Sequence, residues 1–143
     1  MTKMLLPVDG SENALRATRR LVESLGCYKE PPVIDLLAVH LPVPHFPNMS
    51  LFVSEEMIER YYADECAEML APSRRALDAA GVKYSVRTAV GPIAETIVDQ
   101  ASKLGSNVIW MGTRGLSGLS SMVLGSVAMR VLHLAHIPVT LIR

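Results

Sequence analysis

Asn107-Val108-Ile109-Trp110-Met111-Gly112-Thr113-Arg114-Gly115 is the stretch on which the reading of this chain turns, together with a Gly125-Ser126 pair that follows after nine further residues. A short apolar strand, Asn107 to Met111, runs straight into glycine, and Val127 to Ala135 beyond it has helical spacing. A strand, a glycine loop and a helix N-terminus in that order make a place to hold an anion. Glycine lets main chain approach a ligand with no Cβ in the way. Unpaired N–H groups at the positive end of the helix dipole then favour phosphate. A plain flexible connection is the alternative. The length of the loop and its glycines at 112, 115, 118 and 125 weigh for the anion.

Outward from this stretch, apolar runs and helical patterns alternate. Met4 to Val8 reads as a buried strand ending at Asp9, and Ser11 is a good N-cap for the helix that follows. In that helix Ala14, Leu15, Thr18, Leu21, Val22 and Leu25 share one face, Arg16, Arg19, Arg20 and Glu23 fall largely on the other, and Gly26 is the expected stop. Val33 to Val39 is a second strand, apolar enough for a sheet covered on both faces. Leu41 to Phe52 holds Pro42, Pro44 and Pro47 and is expected to be a loop. Ser54-Glu55-Glu56 opens a long helix with a stripe running from Met57 through Tyr61, Tyr62, Cys66 and Leu70 to Leu77 and Ala80, with a kink expected at Pro72. Lys83 to Val90 is a third strand, alternating at Tyr84, Val86 and Thr88. Gly91-Pro92 starts a helix with proline at its first position and Gly105 closes it. Ile137 to Ile142 is a fifth strand, and Pro138 places it at an edge. The order β-α-β-α-β-α-β-α-β gives an α/β fold, a parallel sheet with helices on both faces, in one domain over 1–143.

Composition narrows the function. The 143 residues are 50% apolar and 20% charged, which suits a compact globular chain, and zero net charge argues against a basic nucleic-acid surface. Aromatic residues are too few for a base-stacking platform. Cys27 and Cys66 form no C-x-x-C pair and read as small apolar residues of a reducing compartment. No signal peptide and no apolar run of membrane length is read, so a cytoplasmic location without membrane contact is expected.

Ligands of open α/β sheets bind outside the carboxyl ends of the strands, where strand order reverses. Flanking of that point by the first and fourth strands would set Asp9 and the glycine loop across one crevice. Asp9 could accept hydrogen bonds from ribose hydroxyls, or could simply cap its own turn. Main-chain N–H groups between Gly112 and Ser126 and the Ser126 hydroxyl could wrap phosphates. Neither G-x-x-x-x-G-K-[ST] nor G-x-G-x-x-G after a strand occurs, and Arg114 is the only cationic side chain in the loop. A triphosphate would therefore rely on amides and a metal ion such as Mg or Mn. His133 and His136 sit at a helix end where the dipole alone favours histidine, so no metal site is read from the protein's own residues. No Ser-His-Asp arrangement follows from spacing, G-x-S-x-G is absent, and no catalytic residue is assigned. Trp110 reads as core.

At this point the chain resembles the universal stress protein family. The matching residues are Leu5-Leu6-Pro7-Val8-Asp9-Gly10-Ser11, Leu37-Ala38-Val39-His40, Met111-Gly112-Thr113-Arg114-Gly115, Gly125-Ser126-Val127-Ala128 and Ile137-Pro138-Val139-Thr140-Leu141-Ile142, and they span the chain. The resemblance implies a five-stranded parallel sheet of order 3-2-1-4-5. It also implies ATP binding, since the G-x2-G-x9-G-[ST] pattern marks the binding members. By the same resemblance Pro7, Val8 and Asp9 line the adenosine pocket, Val39 offers main-chain contacts to adenine, and Met111 and Gly112 floor the site. Arg114, Gly115, Gly125, Ser126 and Val127 hold the phosphates. A homodimer through the last strand, Val139 to Ile142, is implied too, and an open apolar edge tends to find a partner. The expected function is a cytoplasmic ATP-binding, stress-regulatory homodimer. A slow ATPase or phosphotransferase, and a dimerisation module without nucleotide, are the alternatives.

Overall fold

The structure, a computed structural model, describes residues 1–114 and 124–143. Five strands form one parallel sheet: β1 (Lys3–Pro7), β2 (Val33–His40), β3 (Ser85–Val90), β4 (Val108–Gly112) and β5 (Val139–Ile142). Their order is β3-β2-β1-β4-β5, the order expected, with β5 at an edge as Pro138 required. Met4 of β1 stands beside Ile34 on one side and Val108 on the other. The chain winds outward from β1 through β2 to β3, then crosses back to build β4 and β5 on the other side. The order therefore reverses between β1 and β4.

Strand side chains alternate between two apolar layers. Met4, Leu6, Val8, Ile34, Leu36, Ala38 and Trp110 pack under α1 (Glu12–Ser24) and α2 (Glu55–Ala79). Leu5, Leu37, Val39, Ile109 and Met111 pack under α3 (Ile93–Leu104) and α4 (Ser126–Leu134). Two polar bonds fix the first layer. The Trp110 indole N–H donates to the Ala17 carbonyl at 2.9 Å, which settles this residue as core, and the Thr18 and Ser73 hydroxyls meet at 2.7 Å between α1 and α2. Buried Asp35 on β2 is paired with the Arg87 guanidinium of β3 at 2.9 Å, the kind of partner a buried carboxylate needs.

Several local expectations are corrected. Gly26 does not stop the first helix. That helix ends at Ser24 and tightens into a 3-10 turn at Leu25–Cys27. Gly81 and Gly105, by contrast, take the left-handed conformation that ends a helix. Pro92 is the N-cap of α3 rather than its first residue. The Leu41–Phe52 loop contains a 3-10 turn, Met49–Leu51. The third strand begins at Ser85, and Val86 and Thr88 are exposed, because β3 is the other sheet edge and no helix among the described residues covers it there. The stripe of α2 is buried only from Cys66 onward, through Leu70, Ser73 and Leu77. Met57 and Tyr61 stand in solvent.

Candidate functional site

The tip of β1 is built by local hydrogen bonds. The Val8 N–H still donates to the Leu37 carbonyl at 2.8 Å, so the chain leaves the sheet only at Asp9. An Asp9 carboxylate oxygen accepts the Ser11 N–H at 2.9 Å, and the Ser11 hydroxyl accepts the Ala14 N–H at 3.1 Å as N-cap of α1. Gly10 between them has φ 83°, and a Cβ there would stand 3.2 Å from the Met69 Cα of α2. The turn thus needs glycine for conformation and for space. Asp9 holds its turn and also lines the cleft described below, so both roles read for it from sequence are open to one side chain.

The tip of β4 is clasped from three sides. Thr113 donates its N–H to the Ile142 carbonyl of β5 at 2.9 Å and accepts the Gly125 N–H on its own carbonyl at 2.5 Å. The Arg114 N–H donates to the Asn13 side-chain oxygen at 2.9 Å. Asn13 is buried on α1 and fills the space that a side chain at position 112 would need. A Cβ on Gly112 would meet the Asn13 Oδ1 at 2.2 Å and its main-chain oxygen at 3.1 Å. The first glycine of the motif is therefore demanded by a neighbouring side chain. Both ends of the glycine loop are anchored, one at Asn13 and one at Thr113. With its N–H spent on Thr113, Gly125 is the N-cap of α4, and among the described residues no side chain caps that helix. The Met129 N–H closes the first turn on the Gly125 carbonyl at 3.0 Å. The N–H groups of Ser126, Val127 and Ala128 lack intrahelical acceptors by helix geometry.

Between these two tips lies a cleft of about 390 Å³, a size suited to a small organic ligand. Pro7, Val8, Asp9, Val39, Met111, Gly112, Arg114, Gly125, Ser126 and Val127 all line it. Those are ten of the eleven site residues expected from sequence. Gly115 lies outside the described residues. The walls that sequence reasoning missed come from Glu65 and Met69 of α2, from Ile93 and Ile97 of α3, and from Ala14, His40, Leu41 and Ala128. The apolar helix residues among them carried the ordinary signal of core positions, Glu65 read as an ordinary surface carboxylate, and nothing in their spacing pointed to a ligand. Asn13 did carry a signal: it falls in register with Ala17 and Leu21 on the buried face of α1, where a polar side chain needs a reason.

Charge in the cleft is uneven. Arg114 is its one cationic side chain among the described residues, against the carboxylates of Asp9 and Glu65. The helix N-terminus at Ser126 is then the main positive feature besides Arg114. At the mouth, the His40 ring packs edge-on against the Tyr61 and Tyr62 rings, each 5.5 Å away, with its Nδ1 2.6 Å from the Leu41 carbonyl. The Tyr62 hydroxyl accepts the Val43 N–H at 2.7 Å and ties the proline-rich loop to α2. The Glu65 carboxylate beside Tyr61 raises that phenol above its ordinary value, since a second negative charge there is disfavoured. Among the described residues no group of three or more His, Cys, Asp or Glu could hold a metal ion. A second hollow of about 490 Å³ lies beside Arg16, Arg19 and Arg20 of α1 and the end of β5, and shares no residue with the strand tips.

A family model described as Universal stress protein family matches residues 1–143. A universal stress protein of Methanocaldococcus jannaschii is 32% identical over 142 residues, which cover 99% of this chain and 81% of that protein. A solved universal stress protein in complex with cAMP superposes with TM-score 0.72 at 21% identity, covering 99% of this chain and 97% of the other. The universal stress protein of Archaeoglobus fulgidus in complex with dAMP does so with TM-score 0.66 at 20% identity, covering 100% and 98%. At such identities the two structures show the shared fold alone.

Proposed function

This chain belongs to the universal stress protein family, and from that premise we propose that it binds an adenine nucleotide, ATP in particular, in the cleft between the tips of β1 and β4. The observation that carries the reading is the gathering of three unlike surfaces in one cleft. Val8, Val39, Met111, Ile93 and Ile97 offer an apolar slot for a base. The Asp9 carboxylate, fixed at the strand tip, suits ribose hydroxyls as an acceptor. The uncapped start of α4, with the Ser126 hydroxyl and Arg114 beside it, suits phosphate. The cAMP and dAMP held by the two fold relatives are adenine mononucleotides, which agrees with this ligand class. One arginine balances little of a triphosphate's charge, so Mg or Mn would travel with ATP on its phosphates.

The protein acts in this reading as a single-domain stress-response regulator in the cytoplasm. It is a homodimer through β5, with ligand occupancy as its signal. No helix among the described residues is long and apolar enough to cross a membrane. The test is direct. Purified protein is denatured, and the supernatant is analysed by mass spectrometry for ATP, ADP and AMP. Nucleotide-free protein is then titrated with each by calorimetry, with and without Mg or Mn. Recovery or binding of an adenine nucleotide is expected. Absence of both overturns the reading and favours the module without nucleotide. Turnover of bound ATP that one polar substitution removes while binding persists would favour the enzyme.

A further inference from the structure

Half of the exposed large apolar side chains lie in one short stretch. Among the described residues twelve such side chains stand exposed, and six of them are Leu41, Phe46, Leu51, Phe52, Met57 and Tyr61. The chain has only two phenylalanines, and both are in this set. Leu51 and Phe52 are 76% and 73% exposed, close to the full surface of the residue. Scattered apolar residues on a surface need no account, but a cluster of aromatic and long aliphatic ones marks an interaction site.

The same stretch has a charge signature. From residue 41 to residue 68 there are six carboxylates and one arginine, in a chain of zero net charge. Glu55 and Glu56 are explained by the N-terminus of α2. Asp64 and Glu68 are not. They continue the spacing of Met57 and Tyr61 down α2, on the side opposite the buried Cys66, Leu70, Ser73 and Leu77. Both are exposed, and neither belongs to an ion pair among the described residues. One outward stripe is thus apolar at the top and anionic below. The loop carrying the two phenylalanines is tied to the same helix by the bond from the Val43 N–H to the Tyr62 hydroxyl, next in the chain to Tyr61.

We infer that this face, the Phe46–Phe52 loop with the outer stripe of α2, is a docking surface for a cationic amphipathic segment of a partner protein. The charge selects the occupant. An apolar surface bearing unpaired carboxylates complements a helix with leucines on one side and lysines or arginines beside them. It repels the anionic headgroups that would receive exposed phenylalanines at a membrane. The inference needs no ligand in the cleft and stands apart from the nucleotide reading.

The full chain is titrated by fluorescence anisotropy with a labelled 18-residue helical peptide of leucine and lysine, and with a leucine–glutamate peptide of the same pattern. The lysine peptide binds and the glutamate peptide does not. Phe52→Ser with Met57→Ser weakens binding at least ~10-fold, as loss of apolar anchors does. Asp64→Lys with Glu68→Lys does the same. Met129→Ser with Leu132→Ser, which removes exposed apolar groups on α4, leaves affinity within ~2-fold. All six positions are exposed, and unchanged melting temperatures verify that the variants fold. Equal binding of the two peptides, or affinity unmoved by either pair on the face, overturns the inference. So does binding to phosphatidylserine vesicles that is lost in the Phe52/Met57 pair.

Discussion

Gly112→Ala isolates what the first glycine of the motif does. The added Cβ would lie 2.2 Å from the Asn13 Oδ1 and 3.1 Å from the Asn13 carbonyl oxygen. The main-chain contact can relax only by a shift of α1 or β4. The side-chain contact relaxes if Asn13 turns away, but that withdraws the acceptor of the Arg114 N–H. An N–H left without a partner in a part-buried place costs ~1–3 kcal/mol, and overpacking in a filled interior costs ~1–3 kcal/mol. The two are partial alternatives, so the expected loss is ~2–4 kcal/mol, a fall in melting temperature of ~6–12 °C for a chain of this size. Calorimetric melts and urea midpoints measure it. Asn13→Ala in the same molecule removes the nearer clash, so the double variant should be more stable than the sum of the single losses by at least ~1 kcal/mol.

A second readout separates a loop anchor from mere packing. Arg114 begins the glycine loop, so releasing it should weaken AMP ~10-fold while adenosine, which has no phosphate, stays within ~2-fold. A Gly112→Ala protein that melts within ~2 °C of the parent, or strictly additive losses in the double variant, would refute the argument that Asn13 dictates glycine at this position.

Three further outcomes are expected. Gly115→Val and Gly125→Val should each weaken ATP at least ~100-fold, about 2.7 kcal/mol, with the fold retained; unchanged calorimetric affinity in both contradicts the phosphate role of the loop. Asp9→Asn keeps an acceptor for the Ser11 N–H, so melting should hold while AMP weakens ~10-fold through loss of the ribose-facing charge; Asp9→Ala should lower stability as well, by ~1 kcal/mol, and equal melting of the two would deny the turn its hydrogen bond. Glu95 is held below the ordinary carboxylate range first by its own main-chain N–H at the start of α3 and then by the Arg130 guanidinium of α4. A carboxyl whose folded value is depressed adds stability above its unfolded value, ~4.3, and loses it as pH falls through the folded one. The gap in urea midpoint between the parent and Glu95→Gln should therefore be full at neutral pH and close below ~4.3, and a gap independent of pH would show that this pair does nothing.

What the sequence revealed and what it hid divide along a physical line. Periodicity reports how much of an element is covered, so the central strands and the inner face of α1 were legible, whereas the exposure of one face of β3 and of the head of α2 was not. Val86, Met57 and Tyr61 have the residue types and spacing of a buried face, but the sheet ends at β3 and the head of α2 lies beyond the buried part of its stripe, so among the described residues they stay exposed, Tyr61 with only the His40 and Tyr62 rings beside it. Strand tips were legible for another reason. Asp9, Gly112 and Gly125 lie where the parallel order reverses, and topology brings those tips together whatever the side chains around them. The walls from α2 and α3 were hidden because Met69 and Ile97 look the same in a core as in a ligand slot. Asn13 is the instructive case between the two. Its burial could be suspected from register with Ala17 and Leu21, but its purpose depends on Gly112 and Arg114, about a hundred residues away and adjacent only after β4 pairs with β1. A glycine can thus be necessary at a site without touching the ligand. At Gly112 the missing side chain makes room for Asn13, and Asn13 in turn sets where the loop begins.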